Sequence, residues 1–492
     1  MGGRKGQGVL DIEVAGRRWH RGWNTCRAIG CLARLLWLIG GRNARPASVD
    51  SLPLCLDQLY PSRYSARTPP DRAAADHRRS FRLEPRLSPS FRPTVIGAPG
   101  RAFPFGSLRA LRQLGVAADV KFVAGQFVLS RLVYLAGGVL TVGVLDGMKK
   151  HPLTLGEFLA RAPATVHGLL FNADSGWYRS IVEFGYTQMP FSTAHQENWA
   201  FFPLFPALVR LAGGSTNAGI LIANMALLAA CLLLSFEVRQ TNCRSSARWT
   251  VLLLLFTPFS GVLSSYRPDS LVLLFSVAAW VAARHHRWWP AWTAVALAAL
   301  ARPTGALAGL LVLAPLLASV RTSGWSRPAV GRLTGVALPI AAVAAFSIYL
   351  GMLTGNPLAW QAIQYDWGRV LVDPLTLIER YWSDPLFIRG VWDFAALNWA
   401  VLAIGCAAGV GLLARRSWGL AAFTLASLLV SPLTGGVVQA SGRYAASVFP
   451  IFMEISSDRR VRRWRLPVLV VSVVLLALVS AWIVLGVTAV LA

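Results

Sequence analysis

Long apolar stretches alternate with short polar segments from about residue 120 to the C-terminus, for example at 122–145, 219–236, 336–353 and 466–491. An α-helix needs roughly 20 apolar residues to cross a hydrocarbon core of about 30 Å, so these stretches predict membrane-spanning helices. The longer polar segments, 147–215 and 354–392, can hold short helices along the membrane surface. The pattern predicts about eleven crossings, near residues 120–146, 216–237, 249–264, 270–284, 290–301, 304–320, 333–352, 393–413, 418–431, 443–456 and 467–491.

The connections between these stretches sort by charge. Alternate connections are rich in arginine: Arg239, Arg244, Arg248, Arg284, Arg287, Arg321, Arg327, Arg332, Arg415, Arg416, Arg459, Arg460, Arg462, Arg463 and Arg465. The other connections carry most of the carboxylates. Cytoplasmic loops are enriched in Lys and Arg, so we expect the arginine set and the N-terminus to face the cytoplasm and the C-terminus to lie outside. The sequence therefore predicts an all-α, multi-pass protein of the plasma membrane.

Overall composition agrees with this interpretation. Charged residues make up only 14% of the 492 residues, whereas soluble domains have about 25%. The net charge of +26 would suggest nucleic acid in a soluble protein. Here the arginines lie mostly in short loops and in the first hundred residues, so membrane topology explains them better.

Residues 1–115 differ from the rest of the chain. They are rich in Arg, Pro, Ser and Gly, and their longest apolar stretch, 29–39, is too short to span a membrane. Such a composition does not offset the entropy of ordering, so we expect a basic, disordered cytoplasmic segment followed by a membrane domain over 116–492. An alternative is a basic arm that contacts anionic lipid.

Candidate chemistry begins in the segment 171–206. The chain has no P-loop, HExxH or GxSxG motif, but Asp174 lies among aromatic residues just beyond the first crossing. A carboxylate that is partly desolvated at an apolar boundary can act as a general base. The alternative is that these aromatic residues are interface anchors, since Trp and Tyr prefer that level of the bilayer.

Three arginines interrupt the carboxylate-rich side, namely Arg267, Arg302 and Arg443. An arginine deep in a bilayer costs at least about 2.5–3.5 kcal/mol on insertion scales, so such residues tend to have partners. One interpretation is that they reach outer headgroups or pair with Asp269. The other is that some of them bind a lipid-linked phosphate, for which a guanidinium offers a fixed fork of donors.

The segment 171–206 resembles the first external loop of the PIG-V type mannosyltransferases, a family of the GT-C superfamily of multispan glycosyltransferases. Ala173 stands where that family usually has Trp. The matching residues are Asp174, Trp177, Tyr178, Gly185, Tyr186, Phe201, Phe202, Pro203 and Pro206.

Further elements resemble the same family in the same order. Asp269 follows Tyr266-Arg-Pro where the family usually has a glutamate, and Arg302-Pro-Thr-Gly305 resembles its Thr-Arg-x-x-Gly. The segment from Gly355 to Trp360 and the pair Arg443-Tyr444 resemble two later elements. The resemblance covers about residues 120–456, and all of its elements fall on the side predicted to be external.

The resemblance implies a GT-C-like bundle of about 9–11 transmembrane helices and an inverting transfer of mannose from a polyprenyl-phosphate donor. Asp174 would be the general base, and Arg443, with Arg302 or Arg267, would bind the donor phosphate. Substrate contacts would come from the residues Trp177, Tyr178, Asp269 and Tyr444.

Several alternatives stay open at this point. A lipid phosphate leaves as a stable anion, so no cofactor or metal is required, although Asp174 and Asp269 could share a divalent ion. A transporter or lipid flippase, or an inactive scaffold, would share the helix count. The acceptor, which could be a glycolipid, a cell-wall polymer or a protein, and the sugar itself are not determined by the sequence.

Overall fold

The computed structural model describes residues 116–149, 153–324, 327–369, 395–435 and 440–485, with isolated residues and two short strands between 371 and 392. Residues 1–115, and the expectation that they are disordered, lie outside this part. The helices are α1 (Val116–Gly147), α2 (Leu155–Leu170), α3 (Ser175–Phe184), α4 (Leu204–Leu211), α5 (Thr216–Thr241), α6 (Arg244–Phe256), α7 (Asp269–Arg284), α8 (Trp288–Ala301), α9 (Gly309–Ser323), α10 (Arg327–Leu333), α11 (Ala337–Thr354), α12 (Ala359–Ala362), α13 (Ala395–Ala414), α14 (Trp418–Gly435), α15 (Ser441–Ser447), α16 (Phe449–Ser457) and α17 (Arg465–Val484).

Short elements join these helices. Single 3₁₀ segments lie at Asn198–Ala200, Ser260–Ser264, Pro303–Ala308, Thr334–Val336, Ile363–Trp367 and Arg462–Trp464. The strands β1 (Phe387–Ile388) and β2 (Val391–Trp392) pair antiparallel, with Phe387 opposite Trp392. The described chain is therefore a helical bundle with one minimal hairpin.

Six helical segments of the described chain are long and apolar enough to cross a membrane. They are Ala117–Gly147, Thr216–Thr241, Pro303–Thr322, Val330–Thr354, Ala396–Ala414 and Arg462–Val484, each of which matches a predicted crossing. Four other predicted crossings correspond to helices of 13 to 18 residues: α6, α7, α8 and α14. The multi-pass helical architecture is thus confirmed, with fewer full-length spans than the sequence predicted.

Two predicted crossings are interrupted for identifiable reasons. The stretch 249–264 is α-helical only to Phe256, because Pro258 disfavours helical backbone in the residue before it. The stretch 443–456 divides at Val448, whose ψ of 78° is outside the helical range, and the next helix begins with Phe449-Pro450. Proline fits the first turn of a helix but not its interior. Both interruptions lie next to the candidate site.

The bundle has two chemically different ends. α7 begins at Asp269 and ends at Arg284, so its 16 residues separate these side chains by about 24 Å. Arg284 donates to the buried Glu237 at 2.8 Å. At the same end, Asp119 accepts from Arg239 at 2.5 Å and Arg244 at 2.7 Å. We call this the basic end; Asp269 lies at the opposite end.

Short helices fill the segment between α1 and α5, as the sequence allowed. A capping box fixes the start of α2, since Thr154 accepts from the backbone of Glu157 and the Glu157 side chain accepts from Thr154. Aromatic packing holds the later part: Trp199 and Phe202 are fully buried, and Phe202 lies 4.8 Å from Phe346 of α11. This segment is therefore folded against the bundle, and it places Asp174 over the helix ends.

Candidate functional site

Four chain segments bring five charged side chains together at the end opposite the basic end. Asp174 precedes α3, Arg267 and Asp269 lie at the start of α7, Arg302 follows α8, and Arg443 lies in α15. All five side chains are buried, with relative exposures of 9% or less. The structure therefore assembles residues that are up to 269 positions apart in the sequence.

Arg443 links the two carboxylates. Its Nη1 donates to Asp174 Oδ2 at 2.6 Å, and its Nε and Nη2 donate to the two oxygens of Asp269 at 3.1 and 3.3 Å. Such charge-assisted, two-pronged pairing fixes both the position and the plane of a guanidinium. Asp174 and Asp269, which the sequence suggested could share a divalent ion, therefore meet on the Arg443 guanidinium.

Arg302 completes the shell around Asp269. Its Nη1 donates to Asp269 Oδ1 at 2.5 Å, and its Nη2 donates to the Tyr444 hydroxyl at 3.1 Å. The Arg302 guanidinium also lies 4.9 Å from the centre of the Tyr444 ring. Both oxygens of Asp269 therefore accept from arginines, Oδ1 from Arg302 and Arg443 and Oδ2 from Arg443. This pairing is the one that the alternative interpretation of these arginines predicted.

Arg267 is different. It is only 1% exposed, and it donates one hydrogen bond, from Nη2 to Asn172 Oδ1 at 3.0 Å. Its Nε and Nη1 have no hydrogen-bond partner. A buried donor without a partner costs about 1–3 kcal/mol, and more when charged, so such a group calls for an explanation. These five residues comprise three guanidiniums and two carboxylates, so the site has one excess positive charge, and Arg267 is the guanidinium with unpartnered donors.

Arg131 of α1 is a buried arginine of the same bundle that has a purely structural role. Its guanidinium donates to the carbonyls of Leu255 and Ser260, to both hydroxyls of Ser260 and Ser264, and to Ser130. These bonds fix the 3₁₀ segment that leads to Arg267. Arg131 and Asn172 could not be identified from the sequence, because their partners on other segments lie 95 to 133 residues away.

Close backbone approaches explain two small residues beside the arginines. A side chain at Gly305 would collide with the carbonyl of Ala298, so glycine lets the chain after Arg302 fold back on α8. A side chain at Gly442 would collide with the Phe259 ring, and the Gly442 N–H donates to Asn398 Oδ1 at 2.7 Å. These contacts set where Arg302 and Arg443 enter the site.

Asp174 is aimed inward by its backbone. Ala173 has a φ of 47°, a left-handed conformation that is costly for a residue other than glycine. Asp174 then starts α3 without capping it, so its carboxylate is left for Arg443. Burial acts to raise the pKa of Asp174, but the charges of Arg443 and Arg267 outweigh burial and hold the pKa below its ordinary value. The carboxylate is therefore ionised at neutral pH.

Aromatic rings lie one helical turn beyond Asp174. Trp177 stacks on Phe201 with centroids 5.9 Å apart, and Trp367 meets Trp177 edge-on at 5.4 Å. Tyr178 is 3% exposed and packs edge-on against Phe201 at 5.1 Å. Two polar atoms of consecutive residues, Asp366 Oδ2 and Trp367 Nε1, are buried without a hydrogen-bond partner. The sequence did not single out either residue as a neighbour of Trp177.

An apolar groove of about 460 Å³ lies next to this cluster. Helices α3, α4, α8 and α11 form its walls, which are apolar apart from Arg210 and the tyrosines Tyr186 and Tyr349. Leu300 of the wall precedes Arg302 by two residues, and Ile181 follows Asp174 by seven, about 10 Å along α3. The groove therefore ends close to the charged residues.

The described residues contain no group of three or more His, Cys, Asp or Glu side chains arranged to hold a metal ion. The oxygens of Asp174 and Asp269 described above are directed at guanidinium groups. The chemistry that these residues can supply is that of an ionised, buried carboxylate beside an anion-binding cluster of arginines.

Comparison with known proteins gives distant matches only. No family model matches the chain, and neither does any curated protein. A crystal structure of ArnT from Cupriavidus metallidurans bound to undecaprenyl phosphate aligns with a TM-score of 0.39 and 16% identity, over 69% of this chain and 77% of that one. An Archaeoglobus fulgidus oligosaccharyltransferase tethered to an acceptor peptide aligns with a TM-score of 0.37 and 12% identity, over 75% of this chain and 55% of that one.

TM-scores this low establish neither a shared fold nor a shared activity. Membership of the PIG-V type family stays a prediction from the motifs.

Proposed function

We propose that this protein is a membrane glycosyltransferase that transfers mannose from a polyprenyl-phosphate donor to an acceptor hydroxyl at the outer face of the plasma membrane. The observation that carries the proposal is the pair of buried donor groups of Arg267, Nε and Nη1, that have no partner beside the Asp174–Arg443 pair. A flippase also needs an anion site, but it has no need for an ionised carboxylate held next to that site.

The donor phosphate binds first to Arg267. A polyprenyl-phosphate sugar is a phosphodiester with one negative charge, which matches the single excess positive charge of the five-residue site. The Nε and Nη1 groups of Arg267 are two buried donors without a partner, and each can donate to a phosphate oxygen. The resemblance named Arg443, with Arg302 or Arg267, for this role, but Arg443 already binds Asp174 and Asp269. Arg443 and Arg302 are better placed to stabilise the charge that develops on the leaving phosphate.

Asp174 acts as the general base. The acceptor oxygen forms a bond to the anomeric carbon as the bond from that carbon to the phosphate oxygen breaks, with inversion. The acceptor proton passes to Asp174, and polyprenyl phosphate leaves with the electron pair. Because nearby arginines lower the pKa of Asp174, the free site is a weak base. A bound phosphate anion opposes that positive charge and raises the pKa of Asp174, so donor binding strengthens the base.

The apolar groove holds the polyprenyl tail near its phosphate. Its walls are mostly Ala, Pro, Leu, Ile and aromatic side chains, and a lipid tail gains free energy when it buries such surface. Leu300 of the groove wall precedes Arg302 by two residues, which supports a path for the tail toward the arginines. We propose that the anomeric carbon then lies between Arg267 and Asp174.

The acceptor sugar binds at the rings of Trp177 and Trp367. Aromatic faces offer a sugar ring a flat apolar surface, and a few polar groups fix its orientation. Asp366 Oδ2 can accept from a sugar hydroxyl and Trp367 Nε1 can donate to one. Tyr178 is packed edge-on against Phe201 and supports this surface from beneath.

The test is sugar transfer by purified protein in detergent, with radiolabelled polyprenyl-phosphate mannose and extracted membrane lipids as the acceptor pool. Native protein is expected to form labelled product, and Asp174→Asn is expected to reduce turnover by about 10²–10⁴-fold while the protein remains folded. Glu183→Gln on the exposed face of α3 is the matched control and should retain activity. Absence of product with a full panel of lipid-phosphate sugars would contradict the proposal.

A further inference from the structure

A second concave site lies at the basic end of the bundle, which α7 separates from Asp269 by about 24 Å. Its volume is about 610 Å³, and every residue that lines it is an arginine: Arg459, Arg460, Arg462 and Arg463. We call it the basic cavity. The nearest carboxylate in sequence, Asp458, accepts from the Arg460 backbone at 2.7 Å and directs its other oxygen toward Arg415 at 3.5 Å. The cavity is therefore strongly positive, and it takes no part in the proposed reaction.

The surroundings place this cavity at the level of lipid headgroups. Trp464 follows it directly, is 55% exposed and lies 5.7 Å from the Arg463 guanidinium. Exposed tryptophan at the start of a spanning helix is typical of the membrane interface. Arg465 has a structural role: it is buried, donates to the Ser456 carbonyl and lies over the Trp249 ring. It anchors the segment on the bundle.

A strip for acyl chains continues from the cavity along α17. Leu466, Val470, Val474 and Leu478 recur every four residues, so they share one face of the helix. Each is between 49% and 64% exposed, although α17 packs on α1 through its other face. The chain thus presents first a positive cavity, then an interfacial tryptophan and then an apolar strip. This is the order of the phosphate headgroup, the interfacial region and the acyl chains of a phospholipid.

We infer that the basic cavity binds the phosphate headgroup of an anionic phospholipid, whose acyl chains lie along the exposed strip of α17. The guanidiniums of Arg459, Arg462 and Arg463 together have more donors than one phosphate needs, so a headgroup with additional oxygen atoms fits the cavity well. This site is separate from the donor site, and it does not depend on the proposed transferase activity.

The experiment is native mass spectrometry of the purified full chain, titrated with phosphatidylglycerol or, separately, phosphatidylcholine. Wild-type protein should prefer phosphatidylglycerol. The double variant Arg462→Gln, Arg463→Gln should lower that preference by about 25-fold, since each arginine near an anionic lipid contributes about fivefold. The matched control is Arg321→Gln with Arg416→Gln, which removes the same charge from exposed positions elsewhere and should change the preference less than about twofold.

Three results would overturn the inference. One is the absence of any preference in wild-type protein, and another is an equal loss in both double variants, which would indicate a general effect of net charge. The third is complete displacement of phosphatidylglycerol by inorganic phosphate in excess, which would indicate a site for soluble anions. Melting temperatures of both double variants show whether the fold is intact.

Discussion

Replacing Arg267 by glutamine separates the anion-binding role from a structural one. The Arg267 side chain forms a single described hydrogen bond, to Asn172, worth about 1.5–3 kcal/mol for a charged donor. Its two unpartnered donor groups each cost about 1–3 kcal/mol in the empty site. These contributions oppose each other, so we expect Arg267→Gln to leave the free energy of unfolding unchanged within about 1 kcal/mol, or to raise it.

The kcat/KM for the donor, unlike the free energy of unfolding, should fall in Arg267→Gln. Two charge-assisted bonds from Arg267 to the donor phosphate are worth about 3–6 kcal/mol together, so kcat/KM for the donor should fall by about 10²–10⁴-fold. The assay is initial-rate transfer at varied donor concentration, beside thermal unfolding in the same detergent.

The matched control is Arg131→Gln, an equally conservative change at a buried arginine. Arg131 donates to the carbonyls of Leu255 and Ser260 and to nearby hydroxyls, so its removal should destabilise the protein by at least about 3 kcal/mol. The reasoning would be refuted if Arg267→Gln were the less stable of the two variants while its folded fraction kept wild-type kcat/KM.

Three further predictions concern the same site. Because the pKa of Asp174 lies below its ordinary value of about 3.9, the carboxylate stays ionised as pH falls. The kcat/KM for the donor, which reports the free enzyme, should therefore be level from pH 8 to pH 5 and decline only below that; a half-maximal kcat/KM near pH 6 would assign the base elsewhere. Gly305→Ala should lower both melting temperature and turnover, because its methyl group meets the Ala298 carbonyl and displaces the chain after Arg302, whereas Gly331→Ala, in open space, should change neither. Trp367→Phe keeps the ring but removes the unpartnered N–H, so KM for the acceptor should rise about tenfold with donor KM unchanged; a change in donor KM alone would place the donor at these rings.

Features that depend only on residues close together in the sequence were predictable from it. The apolar stretches located the spans because burial in lipid requires a continuous run of apolar side chains, which is a local property of the chain. The predicted position of α1 is an example, as is that of α5. The motifs also placed Asp174 and Arg443 among the residues of one site, since the alternation of crossings assigns each loop to one side.

The division of roles among the arginines was decided only by the tertiary structure. Arg267, Arg302 and Arg443 look equivalent in the sequence, because each interrupts the carboxylate-rich side. Their partners lie 33 to 269 residues away, so no local pattern distinguishes them. Packing of α7, α8 and α15 brings Asp269 to Arg302 and Arg443 and leaves two donor groups of Arg267 without a partner, because a guanidinium pairs only with the acceptors that the fold places within hydrogen-bond distance.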